Sequence, residues 1–410
     1  MQKKFIVGAL IALTAASVAA AEPEKNDTVK GFQFTTVDSV AITPVKNQKN
    51  AGTCWCYSTL GFLESELIRK TGKVYDFSEM YIVYNTYMDR ADKAVRMHGD
   101  VSFSQGGSFY DVTYGMEHFG LVPDKEMPAG VMYGDTLSNH SELSSLTDPL
   151  VNAVAKSERK LQFSPDGTPL WKKALAGIYD TYLGVRPTEF TYEGKKYTPM
   201  SFYKSTGLSA KDYVSITSFT HHPYSEGDYK GEGFIIEVQD NWRWGSSINV
   251  ELDDMVQIIE DAVKGGYAVA WGADVSEDGF TRDGLAVYPD MSDKAYEELG
   301  SDQAKWLRLS KNEKREKLTE KPLPQKKVTP EERQRGYDNF ETTDDHGMVI
   351  FGIAKDQEGT PYFMVKNSWG LTGKYNGIWY ATYEFVRAKT INYVVNKEAI
   401  SKKLRDKYGI

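Results

Sequence analysis

The chain has 410 residues, of which 40% are apolar, 13% aromatic and 26% charged. This content supplies a sizeable core and excludes wholesale disorder, and the length allows two domains or one large elaborated domain. The net charge of −8 and the lack of a dominant Lys/Arg run argue against a nucleic-acid binder held by phosphate contacts. Two cysteines, Cys54 and Cys56, are too few for a disulfide framework or a Cys-rich metal site, and the six histidines form no His-x-x-x-His pair.

Residues 1–21 are predicted to be a signal peptide. Two lysines form its positive start, the apolar stretch 5–16 follows, and the small residues 19–21 fit a cleavage site before Glu22. The alternative is an N-terminal membrane anchor, because the apolar stretch approaches spanning length. No second stretch reaches about 18 continuous apolar residues, so no stable membrane insertion is expected after cleavage. The predicted location is periplasmic or extracellular.

In chain order, the hydrophobic pattern first predicts helices. Apolar residues at helical spacing predict a helix over 53–70, and two further helices are predicted over 76–96 and 111–119. The middle of the chain, about 143–213, mixes helix-like runs with Pro and Gly breaks. The predicted elements that follow are strands 214–220 and 234–238, a helix 252–264, a buried strand 267–271, an exposed charged stretch 293–338, and strands 348–353, 362–366 and 377–381.

Cys54 is the candidate nucleophile. It opens the helix predicted over 53–70, where the free N–H groups and partial positive charge of a helix N-terminus favour a thiolate, the nucleophile of acyl transfer. Taken alone, an inert thiol is the commoner interpretation of such a residue. Cys56 lies about 200° further round the helix and is expected to be a small buried side chain. A disulfide between cysteines so close in sequence would be strained.

The end of the chain supplies a candidate base and a residue to orient it. His346 stands at the start of one predicted strand, and Asn367 follows the end of the next. If these strands form a hairpin, Asn367 can accept from one imidazole nitrogen and leave the other turned towards Cys54. Trp369 would shield that hydrogen bond from water. Gln48, six residues before Cys54, is the candidate oxyanion donor, together with the Cys54 backbone N–H.

Together these residues resemble the motifs of papain-like cysteine peptidases. The pattern is Gln-x5-Cys-Trp, then His, then Asn-Ser-Trp-Gly. Ala51 stands where papain-type enzymes place a disulfide cysteine, and 292 residues separate Cys54 from His346, about twice the papain spacing. Both departures match the bleomycin hydrolase / aminopeptidase C branch, which lacks that disulfide and carries large insertions. Further segments resemble that branch in the expected order and extend the likeness over most of 45–395.

The resemblance implies an α+β papain-like fold with a cleft between a helical half and an antiparallel β-barrel half. Gly106 and Gly107 would line this cleft, where the absence of a side chain lets a substrate strand hydrogen-bond to the backbone. The alternative for this glycine pair is a simple turn. The peptidase domain implied for residues 22–410 has a helical half (about 45–135), inserts (about 140–213 and 285–340) and a β half (about 214–284 and 341–395).

The activity implied by the resemblance is hydrolysis of peptide substrates, without a metal or cofactor and with no role for nucleic acid. Members of the branch usually end in an arm whose terminal carboxylate pairs with the substrate's free amine, which gives aminopeptidase activity. They are commonly hexamers, so a homo-oligomer is implied. Here the chain ends at Ile410, soon after a predicted last helix. The alternative is therefore an endopeptidase or a dipeptidyl-type peptidase, and a remoter one is an inactive peptide-binding protein.

Overall fold

A computed structural model describes residues 31–290 and 310–410, so the predicted signal peptide and part of the charged stretch lie outside the described residues. Among the residues that it describes, no helix combines the length and apolar character needed to cross a membrane. The helices of this part of the chain are α1 (Cys54–Thr71), α2 (Glu79–Arg96), α3 (Phe109–His118), α4 (Ser141–Ala155), α5 (Leu170–Tyr182), α6 (Pro199–Thr206), α7 (Leu252–Lys264), α8 (Lys311–Glu320), α9 (Pro330–Asp338), α10 (Tyr383–Lys389) and α11 (Lys402–Tyr408).

The strands fall mainly in the second half of the chain. They are β1 (Thr35–Ser39), β2 (Phe190–Tyr192), β3 (Lys195–Tyr197), β4 (Tyr213–Thr217), β5 (Gly233–Ile235), β6 (Ser246–Asn249), β7 (Val269–Ala273), β8 (Leu285–Ala286), β9 (His346–Lys355), β10 (Pro361–Lys366), β11 (Ile378–Thr382) and β12 (Thr390–Asn396). β2 and β3 form a separate hairpin, and the other strands form one sheet.

Helix α1 lies between the two halves of the molecule. Its residues are buried without a break from Trp55 to Leu67, because it packs against β7 and β9 on one side and against α2 and α3 on the other. The buried carboxylate of Glu64 on this helix accepts hydrogen bonds from the Thr43 hydroxyl and from the Phe77 backbone. Burying α1 on both faces places its first residue, Cys54, at the boundary of the two halves.

The sheet differs from the antiparallel β-barrel that the resemblance implies. Its order is β5-β6-β4-β12-β7-β9-β10-β11-β8, and β1 pairs with the far end of β9. The sheet of the described residues is not closed, because the short strands β5 and β8 stand at its opposite ends. Two of its pairs, β4 with β6 and β8 with β11, are parallel. The helical half therefore packs against an open, mixed sheet.

Strands β9 and β10 form the hairpin on which the candidate base depends. They are antiparallel, and Val349 pairs with Lys366. His346 at the start of β9 and Asn367, the residue after β10, therefore lie at the same end of the hairpin. β7 supports this end from the other side, where Ala273 pairs with His346.

The strand predicted over 234–238 ends early. β5 stops at Ile235, after which Ile236 buries its side chain in a small apolar cluster. The side chain of Asn241 then donates to the carbonyls of Ile236 (3.1 Å) and Gly245 (2.9 Å) and holds the chain in a turn. Residues 236–241, the covering segment, run towards the helical half instead of extending the sheet.

Candidate active site

A small cavity lies where the N-terminus of α1 meets the start of β9. Its volume is about 40 Å³, which is room for water rather than for a peptide. The described residues that line it include the candidate nucleophile and base, Cys54 and His346, and the backbone of Gly107. The covering segment forms the opposite wall and contributes Asp240. The cavity therefore joins residues from both halves of the molecule.

His346 is held by Asn367 in a buried hydrogen bond of 2.7 Å between Nε2 and Oδ1. The same Oδ1 accepts from the backbone N–H of Ser368 at 2.7 Å, so it is an acceptor and Nε2 carries the imidazole proton. In the neutral ring, Nδ1 is then the basic nitrogen. The ring of Trp369 lies 4.7 Å from the His346 ring and covers it. The structure thus brings together the candidate base, its orienting residue and its shield.

Cys54 lies beside the residue that follows His346. Backbone N–H groups of Gly347 and Trp55 hydrogen-bond to the Cys54 thiol. A Cβ on Gly347 would lie 2.6 Å from the Ser58 hydroxyl and 3.3 Å from the Cys54 carbonyl, so only glycine permits this approach of β9 to α1. Cys56, two residues further along α1, is fully buried, as the sequence pattern predicts.

Electrostatics keep the thiol and imidazole neutral in this cavity. Burial, together with the charges of Asp344 and Asp240, raises the pKa of Cys54 to about 12, and the backbone hydrogen bonds oppose only part of that shift. Burial lowers the pKa of His346 to about 4, although the hydrogen bond to Asn367 raises it. The helix N-terminus favours a thiolate, but in this cavity desolvation outweighs the favourable backbone groups and shifts the pKa of the thiol upwards. Attack on a substrate thus requires transfer of the Cys54 proton to His346.

Gln48 is not among the described residues that line the cavity, but it is tied to the same structure. Its Nε2 donates to the Ala51 carbonyl at 2.8 Å, and its Oε1 accepts from the Ser368 hydroxyl at 2.6 Å. Its backbone N–H also donates to the Ser368 carbonyl. These bonds fix the Gln48 loop to the turn that carries Asn367, and one Nε2 hydrogen is left over for an oxyanion.

The groove predicted along Gly106 and Gly107 is occupied by the chain itself. A Cβ on Gly106 would clash with the Asp240 carboxylate, and one on Gly107 would lie 2.8 Å from the Trp55 ring. These positions require glycine because side chains of the protein approach them closely, whereas the resemblance implies the approach of a substrate strand. At Gly106, however, the approaching group belongs to the covering segment and not to a bound strand.

Buried ion pairs fasten the covering segment and its continuation to the helical half. Arg90 is fully buried, and its guanidinium contacts the Asp240 carboxylate at 3.2 Å and the Gly106 carbonyl at 2.5 Å. Just beyond the segment, Arg243 pairs with Asp111 at 2.7 Å and with Asp89 at 2.9 Å. Arg90 and Asp111 are buried, so removing the partner of either is costly, and the pairs hold the segment against the cavity wall.

Two carboxylates, Asp240 and Asp344, face the cavity beside Cys54. Burial, with repulsion from Asp240 and Asp345, raises the pKa of Asp344 to about 7. Burial also raises the pKa of Asp240, although the nearby Arg90 lowers it. Sequence reasoning missed both residues. Asp344 stands two positions before His346, which was an available signal, whereas Asp240 reaches the site only through the fold.

The chain is similar to a family of peptidases and to bacterial proteins named aminopeptidases. A family model described as the Peptidase C1-like family matches residues 2–313, a range that contains Cys54. Aminopeptidase G of Lactobacillus delbrueckii subsp. lactis is 25% identical over 444 residues, covering 96% of this chain and 90% of its own. Aminopeptidase E of Lactobacillus helveticus is 25% identical over 425 residues, covering 94% of this chain and 88% of its own.

Among solved structures, the crystal structure of PepW from Lactobacillus rhamnosis is similar, with a TM-score of 0.63. The sequences are 20% identical, and the match covers 91% of this chain and 84% of the other. At that identity the likeness shows a shared fold and nothing finer.

Proposed function

Because the chain belongs to the Peptidase C1-like family and is a cysteine peptidase with a papain-like fold, we propose that it is an aminopeptidase. It would remove single residues from the free N-termini of peptides. The relatives named Aminopeptidase G and Aminopeptidase E support this assignment.

In the proposed reaction, Cys54 gives its proton to Nδ1 of His346, and the sulfur attacks the carbonyl carbon of the first residue. Gln48 and the Cys54 backbone N–H stabilise the oxyanion of the tetrahedral intermediate. The imidazolium then gives its proton to the leaving amine as the C–N bond breaks. A water molecule, activated by His346, hydrolyses the thioester and releases the amino acid. Asn367 holds the ring throughout, and this chemistry uses no metal.

The position of the covering segment is the observation that favours an aminopeptidase over an endopeptidase. It lies against Gly106, so a substrate strand paired with Gly107 has no open groove in which to continue. At this blocked end stand the carboxylates of Asp240 and Asp344. A carboxylate pair attracts the α-ammonium of a free N-terminus. Arg90 already pairs with Asp240, but a blocked or internal peptide would bring no positive charge to face Asp344.

The same charges supply a reason for the neutral resting thiol. Asp344 and Asp240 raise the pKa of Cys54, even with Arg90 already paired to Asp240. An α-ammonium bound between them would offset this effect, lower the pKa of the thiol and favour proton transfer to His346. A substrate with a free N-terminus would in this way promote its own hydrolysis.

The C-terminal residues do not supply the blocking group in this proposal. Ile410 does not line the cavity at Cys54, and the preceding Gly409 packs beside Gly231. We assign the role of the blocking carboxylate to Asp240 of the covering segment.

The test compares Cys54→Ala and Cys56→Ala on amino-acyl coumarin amides and on peptides with free or acetylated N-termini. The Cys54→Ala variant is expected to lose at least about a thousandfold in kcat/KM, because the nucleophile is gone. Cys56→Ala keeps the activity, since its sulfur lies in the core. Mass spectrometry should show single-residue release from free peptides only. Internal cuts in acetylated peptides would indicate an endopeptidase, and peptide binding without any cleavage would indicate a binding protein.

We also propose that the peptidase acts outside the cytoplasm. Support comes from the sequence alone, through the two lysines, apolar stretch and small residues of positions 1–21.

A further inference from the structure

Three side chains of metal-ligand type meet on the outer side of the covering segment. His221 and His222 lie in the turn after β4, and Glu237 follows β5. Nε2 of His221 is 3.4 Å from one Glu237 oxygen, and Nε2 of His222 is 3.6 Å from the other. One ligand atom from each residue lies within 4.8 Å of the others. Tetrahedral zinc with ligands at about 2.0–2.2 Å separates them by about 3.3–3.6 Å. Each histidine nitrogen lies at such a distance from its own Glu237 oxygen, so a small turn of the carboxylate would complete the geometry.

A buried glutamine sets the tautomer of His221. The side-chain oxygen of Gln334 on α9 accepts from the backbone N–H groups of Thr220 (2.7 Å) and His221 (3.2 Å). It also lies 3.2 Å from Nδ1 of His221. Since this oxygen can only accept, Nδ1 is the donor and Nε2 of the neutral ring carries the lone pair. A second hydrogen bond that orients a histidine in this way is a regular feature of metal sites.

With a neutral His221 ring, the contact between His221 and Glu237 brings two acceptors together unless a cation lies between them. The lone pair of His221 Nε2 faces carboxylate oxygens of Glu237, and two acceptors do not attract each other. A proton shared between them would form a charge-assisted hydrogen bond, for which about 2.7–2.9 Å is usual. The separations of 3.4 and 3.6 Å to the two histidines are both longer. They leave the spacing that a metal ion fills.

Aromatic packing holds the two rings in place and leaves them accessible. The His222 ring stacks on Phe234 at 4.3 Å, and the His221 ring stacks on Tyr337 at 5.7 Å. The Tyr337 hydroxyl also donates to the Glu237 carbonyl at 3.2 Å. The imidazoles remain 28% and 39% exposed, so an ion can enter and a water molecule can complete its coordination.

We propose that His221, His222 and Glu237 form a binding site for Zn²⁺, with Gln334 as its positioning residue. Two imidazoles and a carboxylate are ligands that zinc accepts in proteins. Glu237 belongs to the covering segment, and its neighbours Ile236 and Val238 line the cavity at Cys54. A bound ion would therefore fasten the covering segment to the turn after β4, at a site separate from the peptidase chemistry.

The experiment is a titration of the untagged chain with ZnCl₂ against a chromophoric chelator, in a Cys54→Ala background that removes the cavity thiol as a competing ligand. One ion per chain is expected to bind. His221→Ala and Glu237→Gln should each weaken binding at least tenfold, and Gln334→Met by about tenfold, as is usual for residues that orient a metal ligand. The matched control is His118→Ala, an exposed histidine outside the cluster, which should leave the affinity unchanged.

Hydrogen–deuterium exchange locates the ion independently of affinity. Zn²⁺ should slow exchange of the amides of the covering segment in the Cys54→Ala chain but not in the Glu237→Gln variant. Failure to bind Zn²⁺, unchanged affinity in both His221→Ala and Glu237→Gln, or protection confined to other regions would overturn the assignment. Because each of these measurements uses a chain without its nucleophile, none of these results bears on the proposed peptidase activity.

Discussion

Asp344 lies close enough to Cys54 for its charge to raise the pKa of the thiol, and its own pKa of about 7 falls in the working range of most enzymes. The charged form is the one that attracts an α-ammonium. As the pH falls through about 7, Asp344 gains a proton and that attraction weakens. The α-amino group of a peptide has a pKa near 7.7–8.0, so the substrate loses its charge as the pH rises through about 8.

We therefore expect kcat/KM for free peptides to peak between about pH 7 and pH 8 and to fall on both sides. In Asp344→Asn the fall of kcat/KM at low pH that we attribute to this residue should disappear. KM should rise about tenfold or more because a charge-assisted contact is lost. Alkylation of Cys54 by iodoacetamide should become faster in the same variant, since a charge that raises the pKa of the thiol is gone. If kcat/KM of Asp344→Asn fell at low pH as it does in the wild type, this role would be contradicted.

At the residue scale, the sequence predicted the identities in the site better than their electrostatics. Cys54, His346 and Asn367 stand in recognisable motifs, and the order of two adjacent strands explains why the histidine and asparagine meet. The helix N-terminus favours a thiolate, whereas desolvation and the charge of Asp240, which is remote in the chain, raise the pKa of Cys54. Helix position alone carries no information about either effect.

At the scale of elements, the covering segment decides which substrates reach the site. It follows a strand of only three residues, and the apolar residues Phe234, Ile236 and Val238 gave the whole stretch a strand-like pattern. The alternation arises because Ile236 fills an apolar cluster, not because the stretch is paired in a sheet. A local hydrophobic pattern indicates which side chains are buried. It does not indicate whether they pack in a sheet or against another part of the fold.

Gly106→Ala tests the contact between this segment and the groove. The new methyl group would collide with the Asp240 carboxylate, so the covering segment has to move away. We expect hydrolysis of free amino-acyl substrates to fall at least fivefold and cleavage of acetylated peptides to appear, as measured by mass spectrometry of digests. Gly177→Ala on α5 is the control, because open space surrounds that position. Loss of activity in Gly106→Ala with an unchanged preference for free N-termini would argue against a blocking role.

At the scale of the whole molecule, the sequence predicted two packed halves, and the family match and shared fold agree with that prediction. It did not predict that the sheet stays open. The motifs specify the α1–β9 contact tightly, because Gly347 has to lie against Ser58 and Cys54. Strand pairings at the sheet ends have no comparable motif, so the shape of the β half rested on the resemblance alone.

The last residues of the chain pack against the β half of the molecule. Tyr408 on α11 is fully buried, and its hydroxyl donates to Asp254 at 2.6 Å and accepts from the Glu251 backbone at 3.1 Å. Gly409 and Ile410 pack on this side of the β half and do not line the cavity at Cys54. Deleting these two residues should leave the ratio of free to acetylated peptide cleavage unchanged.

Tyr408→Ala separates stability from specificity in the same region. Removing a large buried aromatic side chain is expected to lower the free energy of unfolding by about 3–5 kcal/mol, measured by denaturant titration. The variant should keep its preference for free N-termini below its unfolding midpoint, because the blocking groups belong to the covering segment. If the two-residue deletion instead opened the site to acetylated peptides, the tail and not Asp240 would be the group that closes the cleft.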